Sequence, residues 1–178
     1  MILDPWREML LFSEGYIHAK ELAAILNEVP RDYNPVRTQR EALNSDRNNS
    51  RALTRVGELY DQSTAFGIAN RYYMEALTKP GAKEDDALRE DLTYRIALNE
   101  VRRADWGTAR KRLLEFRAAF PQSKMMDQVL LGLVLADVRQ GRTKHAEAYA
   151  AELESAHGNS EAAGAARRLL ENAKTERH

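Results

Sequence analysis

Three alanines constrain this chain more than any other feature. Ala69, Ala109 and Ala146 stand 40 and 37 residues apart. Each follows a turn-rich stretch and opens an amphipathic run that ends at a breaker: Pro80, Pro121 and Gly158. In all three cases an earlier helical run ends nine residues before the alanine, at Tyr60, Glu100 and Asp137. A constant offset between two helical runs, met three times, calls for helix hairpins stacked side by side, because one hairpin cannot bury its apolar stripe alone. Composition agrees. Ala, Leu, Arg and Glu are abundant and β-branched residues sparse, which favours helix throughout. The 178 residues are enough for one ordinary domain with a core.

The first copy reads Leu53-x-x-Val56-Gly57-x-x-Tyr60, then Ala69-x-x-x-Tyr73, then Pro80. This resembles the tetratricopeptide repeat, W-x-x-L-G-x-x-Y, A-x-x-x-F and P. The second copy aligns as Thr93, Ile96, Ala97 and Glu100, then Ala109, Leu113 and Pro121, and departs at Thr93 and Glu100. The third aligns as Leu130, Leu133, Val134 and Asp137, then Ala146, Ala150 and Gly158, and departs at Asp137 and Gly158. The resemblance covers Ser50 to Ser160, about three repeats. It implies an all-α fold, a right-handed α-solenoid of antiparallel helix hairpins. The spacings exceed the family's usual 34 residues, and the acidic stretch Gly81–Asp91 reads as an inserted loop.

The expected organisation has three parts. Residues 1–49 form an N-terminal helical extension and a polar connector. In it, Asp4–Val29 is helical, either as a degenerate hairpin or as one continuous helix. Pro30–Asn49 holds a short helix near Val36–Leu43 or is a loop. Residues 50–160 carry the three repeats. Residues 161–178 form a capping helix, N-capped by Ser160, with Ala162, Ala166, Leu169 and Leu170 packed and Arg167, Arg168, Glu171 and Lys174 in water.

Several function classes lose support. There is no cysteine, so thiolate metal sites, disulfides and cysteine nucleophiles are excluded. Glu154 and His157 form one Glu-x-x-His pair without a second, and the four histidines lack zinc spacing, so no metal or cofactor is expected. No phosphate-cradling glycine loop or nucleophile elbow occurs, which argues against an enzyme. Lys+Arg and Asp+Glu are 27 each, so no overall field draws the chain to nucleic acid, and weak mutual repulsion permits a homodimer. The basic stretch Arg102–Arg112 is interrupted by Asp105 and reads as a mixed-charge face, with Trp106 as a packing residue. The longest apolar run, Val129–Ala136, is far shorter than the roughly 20 residues a spanning helix needs, so no direct membrane insertion is expected. The compartment is cytoplasmic if Met1 is the native start, and periplasmic if an export signal has been removed.

Met125–Val138 is apolar nearly all round, a pattern that calls for burial on two sides. In tetratricopeptide proteins the first helix of each hairpin lines a concave groove that takes ligands. By that resemblance the groove stripe here is Arg51, Thr54, Glu58 and Asp61 in the first copy. It continues as Asp91, Tyr94, Leu98 and Val101 in the second, and as Gln128, Leu131, Leu135 and Val138 in the third. The stripe passes from polar to apolar along the chain. The resemblance therefore implies a non-catalytic scaffold that binds a partner peptide or helix. Tyr94, Leu98, Val101, Leu131, Leu135 and Val138 supply apolar contact, and Arg51, Thr54, Glu58, Arg102 and Arg139 set polarity. The alternatives are a self-assembly element, whose apolar face builds a homodimer, or a regulatory domain of a larger envelope protein.

Overall fold

The computed structural model describes residues 2–3, 9–11, 37–38, 40–41 and 48–175. Apart from one short ladder these residues are helical or in turns. The helices are α1 (Ser50–Gln62), α2 (Phe66–Thr78), α3 (Pro80–Lys83), α4 (Asp86–Arg102), α5 (Trp106–Ala119), α6 (Met126–Arg139), α7 (Thr143–His157) and α8 (Glu161–Thr175). The chain divides into two compact units, Met1–Leu92 and Thr93–His178, with the division inside α4.

In the first unit, β1 (Ile2–Leu3) pairs antiparallel with β2 (Met9–Leu11), Ile2 opposite Leu11 and Leu3 opposite Met9. The helical reading of Asp4–Val29 therefore fails at Met9–Leu11. A short apolar run carries too little periodicity to separate strand from helix. The rest of that segment lies outside the described residues. Arg37, Thr38, Arg40 and Glu41 are helical, inside the short helix expected near Val36–Leu43. Arg40 Nη1 donates to the Tyr72 hydroxyl at 2.6 Å, which ties this turn to α2. α1 starts where the Asn49 side chain accepts from the Ala52 amide at 2.9 Å, relieving one orphan N–H. α1 and α2 pack as a hairpin. Gly57 makes the approach possible, since a Cβ there would collide with the Tyr73 ring.

The acidic stretch read as an inserted loop is largely helical. Pro80 opens the single turn of α3, where its missing N–H is no loss. Asp85 caps α4 by accepting from the Leu88 amide at 3.0 Å, and Asp86 pairs with Arg89 at 2.7 Å.

The repeats are visible in the backbone itself. Thr64, Ala104 and Gly141 have positive φ, 58°, 57° and 71°. Each stands five residues before an anchoring alanine. The next residue donates back across the turn in every copy: Ala65 to Tyr60 at 2.9 Å, Asp105 to Glu100 at 3.1 Å and Arg142 to Asp137 at 2.8 Å. The inner bonds are also present, from Thr64 to Asp61 at 2.9 Å, from Ala104 to Val101 at 3.0 Å and from Gly141 to Val138 at 3.0 Å. This is one Schellman closure made three times. Ala69, Ala109 and Ala146 are each 0% exposed, as close helix approach requires.

The second unit is built around α6, which packs against α5, α7 and α8. That explains why its sequence is apolar nearly all round. Val129, Leu130, Leu133 and Val134 join Leu113, Phe116 and Leu153 in one core, and Ala162, Ala163 and Ala166 of α8 close it. Each buried aliphatic side chain contributes about 1.5–3 kcal/mol. Ser160 caps α8 through the Ala163 amide at 3.1 Å. Leu169 and Leu170 are half-buried, while Arg167, Arg168, Glu171 and Lys174 are exposed. Glu154 is taken by Arg167, whose Nη1 lies 2.8 Å from both carboxylate oxygens.

Candidate functional site

In the second unit, side chains of α4 and α6 line one pocket. Tyr94, Leu98 and Val101 recur at helical spacing on α4, and Gln128, Leu131 and Leu135 do so on α6. The two stripes enclose an apolar pocket of about 110 Å³. Leu113 and Gly132 complete its lining. A Cβ at Gly132 would sit 2.9 Å from Leu113 Cδ1, so the missing side chain lets the Leu113 methyls lie against the backbone of α6. Tyr94, Leu98, Leu131 and Leu135 are half-buried, unlike the closed core beneath them.

Tyr94 is a half-buried part of the lining. Its ring meets Phe116 at 5.7 Å between centroids with a 59° tilt, and Phe116 meets Phe120 at 5.2 Å. Both pairs are tilted, at centroid separations where aromatic rings attract one another. Burial pushes the Tyr94 phenol above its ordinary value, the Asp127 carboxylate adds to the rise, and Arg102 pulls against it. The phenol is therefore neutral at physiological pH, between an acid at the start of α6 and a base at the end of α4.

Five of the residues assigned to partner contact are thus brought together: Tyr94, Leu98, Val101, Leu131 and Leu135. Arg102 and Arg139 lie one helical turn beyond Leu98 and Leu135 on the same faces, and both are exposed. Val138 is half-buried against the core. The three assigned residues of α1 belong to the first unit and do not line this pocket. Arg51 is exposed and reaches Asp85 at 3.9 Å, and Glu58 is half-buried. Thr54 offers no contact surface. It is 7% exposed, and its hydroxyl donates to the Ser50 carbonyl of its own helix at 2.9 Å.

Leu113 and Gly132 were not assigned to the site from sequence. The signal for Gly132 was present, since a glycine inside an apolar helix is about 1 kcal/mol worse than alanine and needs a spatial reason. The basic stretch Arg102–Arg112 also looks different in place. Arg103 pairs with Glu100 at 2.8 Å, and Arg112 with Glu115 at 3.1 Å. Arg110 turns inward, its Nε 2.8 Å from the fully buried Asp137 carboxylate.

The family model of YfiO, an outer membrane lipoprotein, matches residues 86–168. Over that stretch the chain is similar to this family. The match spans just under half of the chain, from α4 into α8, and contains the whole pocket. YfiO is a family of tetratricopeptide type, and the helical hairpins seen here are compatible with such repeats. No curated protein and no solved structure matches the chain. Among the described residues no helix is long and apolar enough to cross a membrane, and no group of three acidic, His or Cys side chains could hold a metal ion.

Proposed function

We propose that this protein is a non-catalytic scaffold of the cell envelope that binds another protein through the α4–α6 face. The pocket carries the reading. Five half-buried side chains from two helices converge on one apolar pocket, with the exposed Arg102 and Arg139 one turn beyond, and such a pocket supports a helix- or peptide-receiving groove. The envelope assignment rests on the similarity to a family described as an outer membrane lipoprotein, and on nothing else.

Leu98→Asp and Leu135→Asp test it one at a time. Both positions are half-buried, so the core beneath is retained. In capture from envelope extract, each variant is expected to lose at least tenfold of the partner held by the parent chain, with an unchanged far-UV spectrum. Undiminished capture by both folded variants would sink the reading.

A further inference from the structure

One ion pair recurs along the second unit with its charges exchanged. Arg110 directly follows the anchoring Ala109 and meets Asp137, 27 residues on, near the end of α6. Glu147 directly follows the anchoring Ala146, and its carboxylate lies 3.9 Å from Lys174, also 27 residues on, in the last turn of α8. α8 therefore stands to α7 as α6 stands to α5. It packs against both α6 and α7, as the first arm of a next hairpin would. The core side agrees, since a shift by the 37 residues between the two alanines carries buried Val129 onto buried Ala166.

The same shift carries the groove stripe of α6 onto α8. Leu131 falls on Arg168 and Leu135 on Asn172, an arginine and an amide one turn apart on one helix face. Both are exposed, and among the described residues neither side chain has a hydrogen-bonding or ionic partner. Arg167 is the contrast, because Glu154 of α7 holds it. Arg168 Nη1 lies back along α8, 3.7 Å from where a Cβ on Gly164 would stand. Gly164 matches Asp127 in the shift, so the guanidinium is level with the Gln128 end of the pocket. Asp127 itself acts on Tyr94 of α4 and makes no ion pair with Arg168. A guanidinium has five donors and no acceptor, and an amide adds two donors. The complement of this pair is a carboxylate.

Resting on the groove reading above, we infer that the partner segment runs across α6 onto α8, with an apolar side chain in the α4–α6 pocket and an internal Asp or Glu side chain on Arg168 and Asn172. Packed helices lie about 8–10 Å apart, so the acid stands about three residues from the anchor in an extended segment. The anchor supplies affinity and the acid fixes direction.

The test is selection of random twelve-residue peptides, displayed on phage without a free carboxyl terminus, on the immobilised full chain. An enriched peptide, amidated at its C-terminus, is then titrated against variants by fluorescence anisotropy. Enriched peptides are expected to carry an apolar anchor with an acid two to four positions away. Binding should fall at least tenfold with Leu135→Asp and three- to tenfold with Arg168→Gln. It should fall less than twofold with Arg167→Gln, which removes the same charge from the other side of α8. Replacing the peptide acid by its amide should weaken binding as much as Arg168→Gln does, and Arg168→Gln should then add little. The arginines are exposed, so these variants report even if Leu135→Asp fails to fold. Binders that need Leu135 but are indifferent to Arg168→Gln, or lose equally with Arg167→Gln, overturn this inference and leave the groove reading standing. Absence of any enrichment also overturns the inference alone. Binders indifferent to Leu98→Asp and Leu135→Asp, or a homodimer in light scattering that Leu135→Asp dissociates, overturn both.

Discussion

At the end of α1, Tyr60 occupies the position whose carbonyl closes the first hairpin turn. Its side chain is 1% exposed and stacks on Tyr72, with centroids 5.6 Å apart and planes 7° from parallel. At the end of α6 the same position in the third copy is Asp137, which is 0% exposed. Its Oδ1 faces Arg110 Nε at 2.8 Å and Arg142 Nη1 at 3.6 Å, and its Oδ2 has no hydrogen-bond partner among the described residues. One backbone turn is thus filled with two opposite chemistries. What the turn requires is that the space behind it be occupied. The aromatic solution does this by area and degrades gradually when trimmed. The ionic solution depends on a partner, because a buried carboxylate stripped of its cation keeps its whole desolvation penalty.

The largest expected effect comes from breaking that dependence. Arg110→Ala should lower stability by about 3–5 kcal/mol, toward the lower end because Arg142 remains nearby. Urea unfolding followed by circular dichroism measures it. The apolar double variant Arg110→Met with Asp137→Leu should return to within about 1 kcal/mol of the parent or exceed it, since matched apolar replacements of buried pairs are commonly neutral or stabilising. A double variant as unstable as Arg110→Ala would show that the third turn needs its charges, and the comparison with Tyr60 would fail.

The contrast also shows what was readable in the sequence. The alanine anchors and the nine-residue offset located three hairpins because they record close helix contact and a fixed turn, both local. Glu100 and Asp137 registered only as departures from the tetratricopeptide pattern. Glu100 finds Arg103 three residues on, but the partner of Asp137 is set by packing: its cation comes from Arg110, 27 residues away. Arg110 itself belonged to a basic run that reads as solvent-facing, and one-dimensional spacing could not reveal that a neighbouring helix buries an acid beside it. The pocket was half legible. The tetratricopeptide resemblance pointed to Tyr94, Leu98, Leu131 and Leu135, while the floor at Leu113 depends on α5 meeting α6. The place of Thr54 on the groove stripe said nothing of its burial or of its hydroxyl donating to the Ser50 carbonyl. The N-terminal helix failed at Met9–Leu11 because a few apolar residues suit either structure.

A middle-sized effect lies in the turn residue shared by the copies. Gly141 takes positive φ at little steric cost, but Ala104 and Thr64 do so with a Cβ. The left-handed region costs about 1–2 kcal/mol for such residues. Glycine returns about 0.4–1 kcal/mol of that by enlarging the unfolded ensemble. Ala104→Gly and Thr64→Gly should therefore each stabilise by about 0.5–1 kcal/mol, and Gly141→Ala should destabilise by a similar amount. Midpoints of urea unfolding that move in one common direction for all three would show that the turns are not equivalent.

The smallest effect separates the second arms of the three hairpins. α5 is capped by the Asp105 carboxylate, which accepts from the Thr108 amide at 3.1 Å. α2 and α7 begin at Ala65 and Arg142, with no side-chain cap. The hydrogen bonds from Thr108 hold the Asp105 carboxyl below its ordinary value, and nearby Arg103 adds to the lowering. A depressed folded value means that the unfolded state takes up the proton first as pH falls. The cap's contribution is then complete above about pH 4, the ordinary aspartate value, and is lost as pH drops through the lower folded value. Asp105→Asn keeps a capping oxygen that does not titrate. Between pH 5 and pH 2 the parent should lose slightly more Tm than this variant, with the two curves parallel at higher pH. Parallel curves down to pH 2 would mean that the carboxylate form of Asp105 adds nothing to the start of α5, leaving all three second arms alike and held by packing alone.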